Sequence, residues 1–91
     1  MPYISQPDRD RLDGAIENLA KLISQNQRAG DLNYSITRLL LLSQGEGRYK
    51  DWNELMGVLE CAKQELYRRK IGPYEDKKIL EAGDVEGFDS K

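Results

Sequence analysis

The stretch ELYRRKIGPYEDKK, residues 65–78, concentrates the side chains best suited to holding a ligand. Arg68 and Arg69 carry guanidinium forks that grip phosphate or carboxylate. Tyr67 and Tyr74 bracket the Ile71-Gly72-Pro73 break and offer flat rings with polar tips, suited to stacking on a base. Glu75 and Asp76 supply acceptors for ribose hydroxyls or a base edge. Asn33 and Tyr34, much earlier in the chain, add an amide and a further ring. Taken together they read as a nucleotide-sized patch, provided subunits bring the second and fourth helices together. Each also has a plainer reading. Glu65 precedes Arg69 by four positions, the favourable order for a surface ion pair of ~0.3–0.5 kcal/mol. Arg68, Arg69 and Lys70 are consecutive, so they fan out. Glu75 and Asp76 suit the positive end of a helix opening at Pro73. Each tyrosine alone fits the edge of a core.

Catalytic chemistry finds little to work with. The chain has no histidine, so a serine or cysteine nucleophile lacks its commonest base. Cys61 is the only cysteine and reads as a small buried packing residue on a helix. Glu60 and Glu65 invite comparison with the carboxylates of helical nucleotide pyrophosphohydrolases. Five positions turn a helix by about 140°, however, so the two do not share a face for magnesium. The expectation is a protein that is not an enzyme, with no catalytic residue, no metal and no cofactor.

Composition bounds the rest. The 91 residues make room for one domain, expected over 1–83 with a tail at 84–91. Twelve leucines within a 38% hydrophobic set argue against wholesale disorder. Without a disulfide or a histidine-bearing metal staple, a chain this short gains stability from well-packed helices or self-association. A net charge of −2 gives no general attraction to nucleic-acid polymers or anionic membranes. No apolar run approaches the roughly 20 residues of a membrane span. The opening MPYISQPDRDR lacks the basic start and apolar stretch of a signal peptide, so a cytoplasmic protein is expected.

The elements that must position the patch follow from spacing. Met1 to Gln6 reads as extended, ahead of Pro7 in the first turn of a helix. Leu12, Ala15, Ile16, Leu19, Leu22 and Ile23 form one stripe on that helix, which is expected to run to about Gln25. QNQRAGD reads as a loop broken by Gly30, with Asp31 capping the next helix. That second helix, about Leu32 to Ser43, holds Leu39 to Leu42 and is apolar all round, so one partner helix cannot cover it. QGEGRYK, Gln44 to Lys50, is a polar connector, with Asp51 as N-cap and Glu54 completing a capping box. Trp52, Leu55, Met56, Leu59, Ala62, Leu66 and Tyr67 line a third helix, with Gly57 and Cys61 as a shallow strip. That helix should end or kink at Ile71-Gly72-Pro73, where Gly72 can serve as a cap. A short fourth helix then starts at Pro73 and closes at Gly83. The tail either frays or docks through Val85 and Phe88. The fold expected is all-α: a small bundle of three main helices plus a short C-terminal one after a Gly-Pro kink, forming a homo-oligomer.

Three segments carry a resemblance: GDLNYSITRLL from Gly30, GVLECAKQELYRRKIGPYEDKKI from Gly57, and EAGDV from Glu81. With the opening MPYISQPDRDRLDGAIENLA, they resemble an uncharacterised family of short helical proteins of prokaryotes and their phages. The LNY, YRR and PYEDKK elements are the specific part. The glycine-rich connector and Ala82, where Asn is usual, depart from the pattern at loops or ends. The resemblance implies no biochemistry. By looser analogy, small phage-encoded helical oligomers act as sponges that sequester nucleotide-derived immune signals such as cyclic oligonucleotides or cyclic ADP-ribose relatives. The leading expectation is therefore non-enzymatic binding and sequestration of such a ligand by a homo-oligomer in the cytoplasm, the host's if the protein is phage-encoded. A structural or protein-interaction module is the alternative, and a degenerate nucleotide pyrophosphohydrolase the second.

Overall fold

The computed structural model describes residues 2–88, and every regular element among them is helical. Helix α1 spans Gln6–Leu22 and is followed by a 3-10 turn at Gln25–Gln27. Helix α2 covers Arg28–Ser43 and α3 covers Tyr49–Leu66. A π-helical turn, Tyr67–Ile71, leads straight into α4, Gly72–Ala82. The last three are contiguous, so the described residues form three helices and the third runs for 34 residues. Two units divide the chain, Met1–Val58 and Leu59–Lys91, with the boundary inside α3.

In the first unit, α1 starts where the extended segment is expected to end. Ser5 is its N-cap: the hydroxyl accepts the Asp8 N–H at 3.4 Å and donates to the Asp8 carboxylate at 3.0 Å. Pro7 sits in the first turn, where a missing N–H costs nothing. The helix stops at Leu22, short of Gln25, because Ile23 and Ser24 turn extended at ψ 119° and 131°.

The loop expected at QNQRAGD does not form. Gln25–Gln27 make a 3-10 turn and α2 begins at Arg28, so Gly30 lies inside the helix and Asp31 is not its cap. The Asp31 carboxylate instead reaches back, accepting the Ser24 N–H at 2.8 Å and the Gln27 side-chain amide at 3.1 Å. Ser24 in turn accepts the Asn26 N–H at 3.3 Å. These bonds use amides that a loop would have left to water. Asp31→Ala is expected to lower stability by about 1.5 kcal/mol, the usual worth of a hydrogen bond to a charged group. Thermal unfolding followed by far-UV circular dichroism checks this.

Asp51 also changes role. Helix α3 starts at Tyr49, so Asp51 lies in the first turn and accepts the Arg48 N–H at 3.0 Å. It is the reaching-back member of a capping box, and the N-cap role with Glu54 is not seen. The Trp52 indole N–H donates to the Gly47 carbonyl at 2.9 Å, tying the connector to this turn.

In the second unit, the expected cap at Gly72 and the separate fourth helix are absent. The Gly72 N–H donates to the Tyr67 carbonyl, five residues back, and the helix continues. Pro73 has no N–H, and in an α-helix its ring would press on the carbonyl four residues earlier. Widening to a π turn relieves that contact without ending the helix. The helix closes at Gly83 as expected, the Gly83 N–H meeting the Ile79 carbonyl at 2.8 Å. Its φ of 90° and ψ of 155° lie in a region essentially reserved for glycine.

Among the described residues none is buried. Leu39 and Leu42 are 59% and 68% exposed, and Ile16 and Met56 about as open. Cys61, expected to be a buried packing residue, is exposed. No helix among the described residues is long and apolar enough to cross a membrane.

Candidate ligand-binding site

The expected patch residues fall in both units. Tyr67, Arg68 and Arg69 lie in the π turn, and Tyr74, Glu75 and Asp76 lie on α4. Asn33 and Tyr34 belong to α2, in the first unit. Around the π turn, polar groups meet one another. Arg68 and Arg69 converge on one Glu65 oxygen, at 2.9 Å and 3.5 Å. Arg68 and Arg69 therefore share one carboxylate. Positions three and four beyond a carboxylate flank the same helix face.

The Tyr67 hydroxyl donates to the Glu75 carboxylate. That bond, the nearby negative charge and partial desolvation raise the Tyr67 pKa above its usual 10.0. The face of Tyr74 is covered by the Lys78 ammonium, 5.5 Å from the ring centroid. No helix N-terminus with open amides forms here, because α4 continues the preceding turn. Glu60, a candidate metal carboxylate by sequence, holds Gln64 at 2.8 Å and Lys63 at 3.7 Å. Among the described residues no three acidic, cysteine or histidine side chains gather to hold a metal.

Two grooves accompany these clusters. In the second unit, Ile79 and Ala82 of α4 face Val85 and Phe88 across a cavity of about 390 Å³. Val85 and Phe88 thus line a groove beside α4, and a Phe88 N–H to Val85 carbonyl bond of 3.1 Å turns the segment. In the first unit, Leu19 of α1 and Tyr34, Ser35, Arg38, Leu39 and Leu42 of α2 enclose about 250 Å³. Its walls are leucine, with a phenol, a hydroxyl and a guanidinium as the polar groups.

A family model described as a domain of unknown function (DUF6899) matches residues 1–85. The chain belongs to this family. The match covers all four helical segments and both grooves as far as Val85. No curated protein and no solved structure matches the chain.

Of the eight expected positions, Tyr34 alone lines the leucine-walled groove of this DUF6899 chain. Arg38 is the residue that sequence reasoning misses. Its signal is the spacing to Tyr34, four positions on one helix face, overshadowed by the four leucines that follow. The Tyr67–Glu75 bond gives a direct test. Ultraviolet titration should find Tyr67 deprotonating above the ordinary range, and Glu75→Gln should bring it back. The bond's contribution is complete below the unfolded tyrosine pKa near 10 and is lost as pH rises through the raised folded value. At neutral pH it is fully present.

Proposed function

We propose that this chain is a non-enzymatic, self-associating protein whose assembled form captures a small nucleotide-derived ligand. The observation behind this is the lack of any buried side chain among the described residues, although α1, α2 and α3 carry regular apolar stripes. Burying one leucine or isoleucine side chain stabilises by about 1.5–3 kcal/mol, and a chain this small forfeits most of its driving force if that burial is forgone. Further copies of the chain supply matching stripes at once, since a symmetric interface uses the same patch on both partners. The ligand part is supported by the leucine-walled groove with Tyr34 and Arg38 at its edge. Withholding a nucleotide-derived immune signal in a host cytoplasm, as phage sponges do, is the role this reading fits.

A second reading is a structural or protein-interaction module. It is favoured by the self-contained pairing of Tyr67, Arg68 and Arg69 with Glu75 and Glu65. Native mass spectrometry of protein purified from cells with and without an active nucleotide-signalling defence system separates the two. A stoichiometric small-molecule adduct on an oligomer supports the first. A ligand-free oligomer in both samples transfers the case to the second, and a monomer at micromolar concentration overturns self-association.

A further inference from the structure

We propose that the groove between α1 and α2 is itself a mononucleotide site, with the base stacked on Tyr34 beside the leucines and the phosphate on Arg38. The proposal rests on the reading that the protein takes a nucleotide-derived ligand, and it places that ligand away from the π turn. The chain has seven arginines, and six have an acceptor within it. Arg9 donates to the Ile4 carbonyl at 2.9 Å and Arg28 to the Gln25 side chain at 3.3 Å. Arg11 pairs with Asp8, Arg48 with Glu46, and Arg68 and Arg69 with Glu65. Among the described residues, Arg38 alone has no such acceptor, and it is the arginine that lines an apolar groove.

The surroundings select the ligand's chemistry. Leu19, Leu39 and Leu42 provide apolar surface that bare phosphate would leave wet. A purely hydrocarbon guest would make no use of the exposed Arg38 guanidinium. A flat aromatic group bearing an anion meets both needs. Tyr34 and Arg38, one turn apart on α2, share a face, so a base stacked on the phenol leaves its phosphate within reach of the fork. The Ser35 hydroxyl beside them can bond a sugar hydroxyl. Asp31, two turns before Arg38 on α2, is held by the Ser24 N–H and the Gln27 amide. The volume, about 250 Å³, falls just below the ~300–1,000 Å³ of sites for drug-sized ligands. It suits one base with its sugar.

Calorimetric titration of the full chain with AMP, GMP and inorganic phosphate tests this. A mononucleotide should bind and inorganic phosphate should not. Arg38→Ala should weaken nucleotide binding about ten- to a hundredfold, the worth of a charged hydrogen bond. Arg38→Lys should recover part of it, and decides the matter if the alanine variant changes oligomeric mass. Tyr34→Phe should bind like the parent and Tyr34→Ala should not. Binding that survives Arg38→Ala but disappears in Arg68→Ala overturns the groove and leaves the broader ligand reading standing. Equal binding of phosphate and nucleotide, lost together in Arg38→Ala, overturns the base-recognition claim. No binding of either nucleotide to the parent chain overturns the proposal, and the search for an adduct from cells then judges the broader reading separately.

Discussion

Ile36→Asp combined with Leu40→Asp is expected to yield a monomer that has lost most of its helix. The two residues lie one turn apart on α2, roughly 160° around the helix from Tyr34 and Arg38, and neither lines the groove. Ile36 is 45% exposed and Leu40 half-buried in the single chain, so neither can reach full burial without a partner. Two such side chains are worth about 3–6 kcal/mol when fully covered, comparable to the whole stability of a small domain. Carboxylates there also bring charge into an apolar contact, which is costly unless paired. Sedimentation velocity should show the mass fall to that of one chain, and the helical circular-dichroism signal should fall with it. A double variant that keeps its mass and helicity would remove this side of α2 from any subunit interface.

Pro73→Ala should have the second-largest effect, in the opposite direction. A proline inside a helix costs about 3 kcal/mol relative to alanine. The π turn at Tyr67–Ile71 already absorbs part of that cost, so a gain of about 1–3 kcal/mol is expected. Amide hydrogen exchange should slow through residues 67–76 once an N–H is restored at position 73. The variant should also move the Tyr67 titration. In a straight α-helix, positions eight apart are separated by about 12 Å of rise, so the Tyr67–Glu75 bond depends on the local departure from α geometry. Relaxation to α geometry should break it and return the phenol to the ordinary range. Slower exchange with an unchanged Tyr67 titration would mean that the π turn outlasts the proline and has another cause.

Much of the fold is legible in the sequence because apolar spacing is a strong signal. The α1 stripe, the end of α2 at Ser43 and the stop at Gly83 all follow from period and terminator. Two of the errors share one physical origin: carboxylates near helix starts act from inside the first turn, and reading them as caps misplaces the boundaries. Asp31 and Asp51 both reach back to an earlier amide, so the helices begin before them. The Gly72-Pro73 pair reads as a terminator because helices usually end before proline. A π turn is the exception, and no residue pattern there announces one. In the candidate site, the pairing of Glu65 with Arg69 is readable from spacing, whereas Tyr67 with Glu75 is not, since eight positions is no helical neighbour distance. Arg38 escapes because its importance lies in what it lacks, an acceptor, and only coordinates can establish that among the described residues.

The absence of buried side chains among the described residues bears on dosage. If helix formation draws its energy from association, folding obeys mass action, and the folded fraction rises with chain concentration. Soon after expression begins, dilute chains would present open helices to proteases and turn over quickly. Above the dissociation constant the same chains would shelter one another and accumulate. Synthesis rate would then act as a threshold: a burst of expression gives a long-lived pool, and a trickle gives almost none.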